Sequence, residues 1–369
     1  MSQHDEALSP DPRANPDLLG HDAAEASLLA AWNSGRLPHA WLIAGPRGIG
    51  KATLAFRFAR FAFAQGLQSA EAGGLFGGPP PLPPATLALS PEHPVCRRVA
   101  AEGHADMLTL RPGMPQPEKQ NKPSDDITVY WVRRAVDLLH RTAAEGGWRV
   151  VVVDTAEDMN LPAANALLKA LEEPSPNCLL ILVSNAPGRL LPTIRSRCRV
   201  LHLQPLAAAN VERLLMRYRP DLGADERALL MGLCEGSIGR AIELADRGGA
   251  TLYRTLLDLL VSLPQLDFGA VQAFADTMGR KGEEAQTGLR TALDLMGGIV
   301  HRMAKIAAGD GPVLAAEAQL AARCARRGPM PWVETSERLA KLGSAGEGLN
   351  LDRKAVLVSA FAAFQTAAQ

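Results

Sequence analysis

The sequence comprises 369 residues, enough for two or three domains, and its 47% apolar content is ordinary for a protein with buried cores. Its 39 lysines and arginines balance its 39 aspartates and glutamates, so a protein that binds nucleic acid through an overall basic field is excluded. The first residues are polar and lack the apolar core of a signal peptide, and no run approaches the ~18 apolar residues of a membrane span.

The cysteines are five in number, dispersed, and without a CxxC pair. Such a set is typical of reduced thiols in a cytosolic protein rather than of a disulfide framework. We therefore expect a cytoplasmic protein with no membrane partner.

The first half of the chain alternates short apolar runs with amphipathic segments. The runs are rich in Val, Ile and Leu and predict strands buried on both faces, over residues 40–44, 107–110, 149–153, 178–184 and 200–203. Helices are predicted over 51–65, 132–144 and 162–171, and in the last of these the residues expected on one face are Leu161, Ala164, Leu168 and Leu171. Strands that alternate with helices indicate a parallel α/β sheet.

Two stretches interrupt this alternation. Residues 73–94 are dense in Gly and Pro, and residues 111–126 are polar and rich in Pro, so we predict mobile loops in both. After Pro205 the pattern becomes helical as far as Gln369. Its apolar residues recur at spacings of three or four, as in Leu289, Leu293, Met296, Val300, Met303 and Ile306, and again in Leu357, Phe361 and Phe364.

The sequence GPRGIGKA stands at residues 45–52, between a predicted strand and a predicted helix. This is the context of a phosphate-binding loop (P-loop), in which glycines let backbone N–H groups surround phosphate oxygens and a lysine reaches the outer phosphates. The residues predicted to hold a nucleotide here are Gly45, Gly48, Gly50 and Lys51. Whether ATP with Mg²⁺ still binds is left open.

Two substitutions indicate weak or absent ATP hydrolysis. The P-loop should end in Ser or Thr, whose hydroxyl binds Mg²⁺, but position 52 is Ala52. Asp154 follows the strand over 149–153, as an acidic residue of the magnesium site would, but the next residue is Thr155 where an ATPase carries the Glu that polarises water. Glu157, two residues later, is interpreted as the acidic beginning of a helix.

Two further blocks, NALLKALEEP at residues 165–174 and LPTIRSRC at 191–198, accompany Pro38-His39-Ala40 before the P-loop. Together they resemble the AAA+ clamp-loader family, which includes the bacterial gamma/tau and delta-prime subunits and eukaryotic replication factor C. The resemblance is clear over 37–205 and weaker to 250. It implies an α/β AAA+ P-loop module with a parallel five-stranded sheet (1–205), a small helical lid (206–250) and a C-terminal helical collar domain that oligomerises (251–369).

The resemblance also implies roles for single residues. Arg197 corresponds to the arginine that this family supplies in trans to a neighbour's ATP site, and we expect it exposed and unpaired. Ser184 and Asn185 correspond to the γ-phosphate sensor, with a capping role as the alternative. In the lid, Gly239 occupies the position of a second sensor arginine and Arg240 is displaced by one.

Family members also carry a four-cysteine zinc module, of which this chain retains Cys96, followed by His104. One cysteine cannot build a tetrahedral site, so we expect no zinc and no other structural metal.

The impaired P-loop and the presence of Arg197 in the LPTIRSRC block favour the delta-prime branch of the family over the gamma/tau branch. The resemblance then implies a subunit with little ATPase activity of its own, in a hetero-pentamer with gamma/tau and delta that loads the sliding clamp onto primer-template DNA as part of the DNA polymerase III holoenzyme. The alternative is a self-sufficient gamma/tau-like ATPase. An independent DNA-binding module is disfavoured by the neutral charge and by the lack of a basic-aromatic cluster.

Overall fold

A computed structural model of the chain describes residues 11–72, 82–116, 124–145, 147–278, 283–309, 314–324, 328–348 and 352–369. The chain divides into two compact units. The first consists of Met1–Pro220 with Gly236–Arg240, and the second of Asp221–Glu235 with Ala241–Gln369. Residues 73–81 and 117–123, within the two predicted loops, lie outside the described residues. The three-domain division remains a prediction.

The first unit contains a parallel sheet whose five strands, within the described residues, run in the order β2-β3-β4-β1-β5. Their bounds are β1 Ala40–Ala44, β2 Met107–Leu110, β3 Arg149–Val153, β4 Cys178–Ser184 and β5 Arg199–His202. Ile43 of β1 pairs with Val183 of β4 and with Leu201 of β5. The predicted parallel five-stranded sheet is confirmed, with β5 beginning one residue earlier than predicted.

The strands are continuously apolar because helices cover both faces of the sheet. Alternate residues such as Ile43, Val152 and Ile181 enter the core shared with α1 (Asp22–Asn33), α2 (Lys51–Ala72) and α3 (Pro94–Ala100). The intervening residues enter the opposite core, with α4 (Val129–His140), α5 (Leu161–Glu172) and α6 (Pro192–Arg195). A further helix, α7 (Ala208–Tyr218), completes the first unit.

Helix α4 ends at His140, four residues before the predicted end. The backbone N–H groups of Ala144 and Glu145 donate to the carboxylate of Asp106, at 2.7 and 3.1 Å. The guanidinium of Arg149 donates to the carbonyl of Leu139 at 2.7 Å. These contacts with distant residues hold the segment after α4 in a non-helical path.

Asn160 caps the N-terminus of helix α5, because its side chain accepts a hydrogen bond from the N–H of Ala163 at 3.0 Å, and Pro162 lies in the first turn. Its buried face is rotated relative to the prediction. Leu161 is 62% exposed, and the residues that pack inward are Ala163, Ala164, Leu167, Ala170 and Leu171. The prediction that Leu161 shares the buried face was therefore wrong.

The second unit is helical throughout its described part. Its helices are α8 (Ala224–Leu233), α10 (Gly249–Leu260), α11 (Phe268–Met278), α12 (Glu283–Ala307), α13 (Ala318–Cys324), α14 (Met330–Gly348) and α15 (Arg353–Ala368). Helix α9 (Ile238–Asp246) begins in the first unit and ends in the second. The predicted apolar residues Leu357, Phe361 and Phe364 are all buried.

A charged cluster lies inside the second unit. Glu317 is fully buried and accepts hydrogen bonds from Arg302, with Nη2 to Oε1 at 2.9 Å, and from the hydroxyl of Tyr253 at 2.5 Å. The pKa of the Tyr253 hydroxyl is raised because burial and the Glu317 charge both disfavour its ionised form. The cluster joins α10, α12 and the segment before α13.

No helix in the described ranges is long and apolar enough to cross a membrane.

Candidate functional site

The P-loop connects β1 to α2, so its last residues form the first turn of a helix that begins at Lys51. Gly45, Gly48 and Gly50 all have positive φ, at 155°, 76° and 105°. These are conformations that residues with a β-carbon rarely adopt. The loop therefore has the backbone shape for which its glycines were predicted.

Four consecutive carbonyls of the P-loop accept hydrogen bonds from within the chain. Lys51 Nζ donates to the carbonyl of Pro46, and the hydroxyl of Ser237 donates to that of Arg47 at 2.8 Å. The N–H of Gly239 donates to the carbonyl of Gly48 at 2.9 Å, and the imidazole of His21 donates to that of Ile49 at 2.6 Å. The protein thus holds the loop in shape through its own groups. We call these four contacts the carbonyl clasp.

Gly239 lies against the P-loop backbone. A β-carbon at this position would stand 2.8 Å from the Cα of Gly48, closer than real β-carbons approach other atoms. Any side chain here, including the arginine of a second sensor, requires the loop or the beginning of α9 to shift. This contact gives a physical reason for glycine at the position where the resemblance predicts a sensor arginine.

Lys51 is only 4% exposed. Burial lowers the pKa of its ammonium to about 8, against the charges of Glu157 and Asp154, which raise it. Besides the carbonyl of Pro46, its Nζ contacts the side-chain oxygen of Asn185 at 2.8 Å. The structure therefore brings together the P-loop lysine and one of the two predicted sensor residues.

Glu157 is a site residue that the sequence analysis missed. Its Oε1 accepts hydrogen bonds from the backbone N–H and the side-chain amide of Asn185, at 2.9 and 3.0 Å. Burial raises the pKa of the Glu157 carboxyl, but the hydrogen bonds from the backbone, Ser184 and Asn185 outweigh it and the net pKa is lowered. A chain of contacts therefore runs from Glu157 through Asn185 to Lys51.

Asp154 lies at the carboxyl end of β3, as predicted. Burial raises the pKa of its carboxyl, and the charge of Lys51 opposes this. Ser184 is fully buried, and its hydroxyl accepts a hydrogen bond from the N–H of Ala186 at 3.2 Å. This bond is local to the turn after β4, and Asn185 is the member of the pair that contacts Lys51. The sensor role of the pair and the capping alternative both stay predictions.

The groups present fit a phosphate better than they fit a magnesium ion. The loop glycines have the conformation of a phosphate cradle, but Ala52 supplies no hydroxyl, and the next residue, Thr53, is only 7% exposed and packs into the unit. Among the described residues, no group of three or more His, Cys, Asp or Glu side chains could hold a metal. The protein ligand that a bound nucleotide's Mg²⁺ takes from a P-loop is thus missing.

Arg197 follows α6, and its side chain is 37% exposed. Its Nη2 forms an ion pair with Oε1 of Glu172 at 2.8 Å, and its Nη1 donates to the carbonyl of Thr193 at 3.0 Å. The expectation of an exposed arginine is confirmed. The expectation that it is unpaired was wrong, because Glu172, in the LEEP part of the earlier motif, reaches it.

The residues considered for zinc have other contacts. Cys96 is buried on α3, and His104 is stacked on Phe63 with 3.8 Å between ring centroids. The Nδ1 of His104 accepts a hydrogen bond from the N–H of Asp106 at 3.3 Å. The absence of zinc remains a prediction, which metal analysis of the purified protein will test by finding well below one equivalent.

A basic-aromatic cluster that the sequence analysis did not find lies on α4. The guanidinium of Arg134 stands over the rings of Tyr130 and Trp131, 5.8 and 5.6 Å from their centroids. These distances are typical of cation–π contacts. All three residues belong to two turns of one helix, so local helical spacing is enough to bring them together.

The chain is similar in sequence to known subunits of DNA polymerase III. The sequence pattern of the family described as DNA polymerase III, delta subunit, matches residues 84–207. DNA polymerase III subunit delta' of Pseudomonas aeruginosa is 41% identical over 212 residues, which are 57% of this chain and 56% of that protein. The delta' subunit of Escherichia coli is 30% identical over 247 residues, 67% of this chain and 66% of that protein. The chain belongs to the DNA polymerase III delta-prime family.

Other members of the wider clamp-loader group are also similar. DNA polymerase III subunit tau of Escherichia coli is 25% identical over 312 residues, 80% of this chain and 44% of that protein. A solved gamma-subunit-related protein of Thermotoga maritima is 18% identical, with a TM-score of 0.40, over 93% of this chain and 100% of that one. The alignments span about half to two thirds of the delta' relatives named above. The part of the predicted fold class that the structure itself confirms is a parallel five-stranded α/β sheet followed by helices.

Proposed function

We propose that this chain is the delta-prime subunit of a clamp loader that places a sliding clamp on primed DNA at the expense of ATP. In this proposal it assembles with gamma or tau and delta subunits in a hetero-pentamer in the cytoplasm. Its Arg197 side chain contributes to the ATP site of a neighbouring subunit. An arginine supplied in trans stabilises charge on the transferring phosphoryl group and raises hydrolysis rates by ~10³–10⁵ in other nucleotide hydrolases.

The observation that carries this proposal is the exposure of Arg197 in a chain whose own P-loop ends in Ala52. An arginine finger is an arginine that one chain supplies to the ATP site of another chain. Its guanidinium must therefore reach the surface, and the Arg197 side chain is 37% exposed. A chain that hydrolyses ATP needs the magnesium hydroxyl and the water-polarising carboxylate, and it has Ala52 and Thr155 in those places. Both features favour a subunit that supplies an arginine to a neighbour over a subunit that hydrolyses ATP itself.

The experiment compares assembled complexes that carry Arg197→Ala in this chain with complexes that carry Arg195→Ala. Arg195 is a matched control because it is exposed at the end of α6, the short helix that Arg197 follows. Arg197→Ala should leave assembly intact and lower the ATPase and clamp-loading rates in part, because one interface of several is disabled. Arg195→Ala and Lys51→Ala should have smaller effects. The proposal is contradicted if Arg197→Ala complexes hydrolyse ATP and load clamps at the normal rate while Lys51→Ala complexes do neither. This chain would then be the subunit that hydrolyses ATP.

A second candidate is a self-sufficient gamma/tau-like ATPase. The contact of 2.8 Å between Lys51 and Asn185 favours it, because a lysine and a sensor asparagine adjoin the phosphate in an active site. Turnover by the isolated chain near ~1 s⁻¹, abolished by Lys51→Ala, would establish this candidate. Under our proposal the isolated chain hydrolyses ATP negligibly, and Ala52→Thr combined with Thr155→Glu raises the rate.

Nucleotide binding without hydrolysis is a separate question, because the loop glycines and Lys51 are in place while the metal ligand is missing. An equilibrium titration with a fluorescent ATP analogue decides it. Low-micromolar affinity means that the loop still senses nucleotide, and no binding at millimolar concentration means that it has only a structural role.

A further inference from the structure

The guanidinium of Arg197 contacts two helices of its own chain, α5 and α6. Glu172, the last residue of α5, forms an ion pair with Nη2, and the carbonyl of Thr193 in α6 accepts a hydrogen bond from Nη1. A guanidinium carries five N–H donors. The hydrogen bond engages one donor of Nη1 and the ion pair holds Nη2 beside a carboxylate, so the planar group is held in orientation while it keeps donors to offer to an incoming phosphate.

We infer that Glu172 is a positioning residue for the arginine finger, which rests on the function proposed above. Its carboxylate fixes the Arg197 guanidinium before a neighbouring ATPase subunit docks. An unrestrained arginine loses roughly 2 kcal/mol of side-chain entropy when it is fixed. A side chain that is already held loses less, so more of its interaction energy remains to stabilise transition-state charge.

The same ion pair has an opposite electrostatic effect. A carboxylate 2.8 Å from the guanidinium partly neutralises the charge that a finger offers to phosphate. If neutralisation outweighs orientation, removal of the carboxylate accelerates hydrolysis. Orientation is the dominant effect in our inference, because the side chain of Glu172 is half exposed and water weakens charge–charge interactions at such a site.

Three substitutions of this chain distinguish orientation from neutralisation. Glu172→Ala removes both the charge and the acceptor, whereas Glu172→Gln removes the charge and keeps an acceptor oxygen. Glu173→Ala is the matched control, because Glu173 is the adjacent exposed acidic residue and its side chain has no described contact with Arg197. Each variant is assembled with the partner subunits, and only the ATPase subunit next to this chain retains an active P-loop.

Glu172→Ala should lower kcat for ATP by about two- to fivefold, which is the range expected from an exposed ion pair. The KM for ATP and the assembly of the complex should not change, because the finger acts on the transition state. Glu172→Gln should retain most of kcat, and Glu173→Ala all of it. In the Arg197→Ala background, Glu172→Ala should have no further effect.

Other outcomes overturn the inference. An increased kcat in both Glu172 variants, an unchanged kcat in Glu172→Ala, or an equal additional loss in the Arg197→Ala background each means that Glu172 does not act by orienting Arg197. The function proposed above survives these results as long as Arg197→Ala itself lowers kcat. If Arg197→Ala has no effect, the proposed function fails, and the inference fails with it.

Discussion

Gly239 lies so close to Gly48 that a β-carbon on Gly239 would stand 2.8 Å from the Cα of Gly48. The same two residues share a backbone hydrogen bond of 2.9 Å, from the N–H of Gly239 to the carbonyl of Gly48. The beginning of α9 is thereby attached directly to the P-loop. This is the position for which the resemblance predicts a second sensor arginine, and in this chain a backbone contact occupies it.

Gly239→Ala should destabilise the first unit by about 1–3 kcal/mol, because the added methyl group forces two backbones apart. The midpoint of urea unfolding measures the change. Gly188→Ala is the matched control, since a β-carbon at Gly188 would meet no atom within 4 Å and its φ is not positive. Equal stability of Gly239→Ala and Gly188→Ala would mean that the close approach does not exist in solution.

Glu157→Gln should lower the pKa of Lys51 below its value of about 8, because the Glu157 charge is one of two that hold this pKa up against burial. An NMR titration of labelled lysine side chains reads the pKa directly. Asp158→Asn removes the neighbouring carboxylate and is the comparison for a general change of charge. A Lys51 pKa that rises or stays constant in Glu157→Gln would contradict the contact chain from Glu157 to Lys51.

His104 should make the protein less stable in acid. Burial lowers the pKa of its imidazole, helped by Arg98 and opposed by Glu145 and Asp106. The unfolded chain then takes up the proton first, so the stability contribution is complete above an unfolded pKa of about 6.5 and declines as the pH falls from there towards the folded pKa.

The measurement is the urea midpoint between about pH 7 and pH 5, for the wild type and for His104→Gln. The variant should have a lower midpoint at pH 7 and a flatter decline below pH 6.5. His202→Gln, on the exposed strand β5, is the comparison for the loss of one histidine. A decline of the same steepness in wild type and His104→Gln would assign the acid sensitivity to other groups.

Glu317→Ala should destabilise the second unit by about 3–5 kcal/mol, because it removes the carboxylate that is hydrogen-bonded to the largely buried guanidinium of Arg302. Tyr253→Phe should cost less, about 1 kcal/mol, since it removes one hydrogen bond. Glu243→Ala breaks an ion pair of 2.7 Å between exposed side chains and should change stability by under about 1 kcal/mol. Similar losses in Glu317→Ala and Glu243→Ala, read from urea unfolding, would contradict this ranking.

Strand positions were predictable because burial on both faces leaves a continuous apolar run. The prediction matched β1 to β4 at both ends, and only β5, whose outer edge is exposed, differed by a residue. Leu357, Phe361 and Phe364 were predictable in the same way, because each is buried on one face of a single helix. In both cases the pattern of apolar residues that predicts the structure lies within a short segment of the chain.

Contacts that depend on distant residues were not predictable. The end of α4 is set by Asp106 and Arg149, which no local pattern connects to it. Glu157 reaches Asn185 because Thr155 adopts a left-handed conformation, with φ of 60°, and turns the chain back at the end of β3. A left-handed threonine is uncommon, so this turn could not be predicted from the residue types. The pairing of Arg197 with Glu172 likewise joins two motifs that were interpreted separately.

The carbonyl clasp makes one amide proton a reporter of local opening. The N–H of Gly239 is bound to the carbonyl of Gly48, so it exchanges with solvent deuterium only when that bond opens. Its exchange rate under native conditions therefore gives the free energy of separating the beginning of α9 from the P-loop. A nucleotide that enters the loop would change this single rate even where the mean structure stays the same, and the effect can be followed without any turnover of ATP.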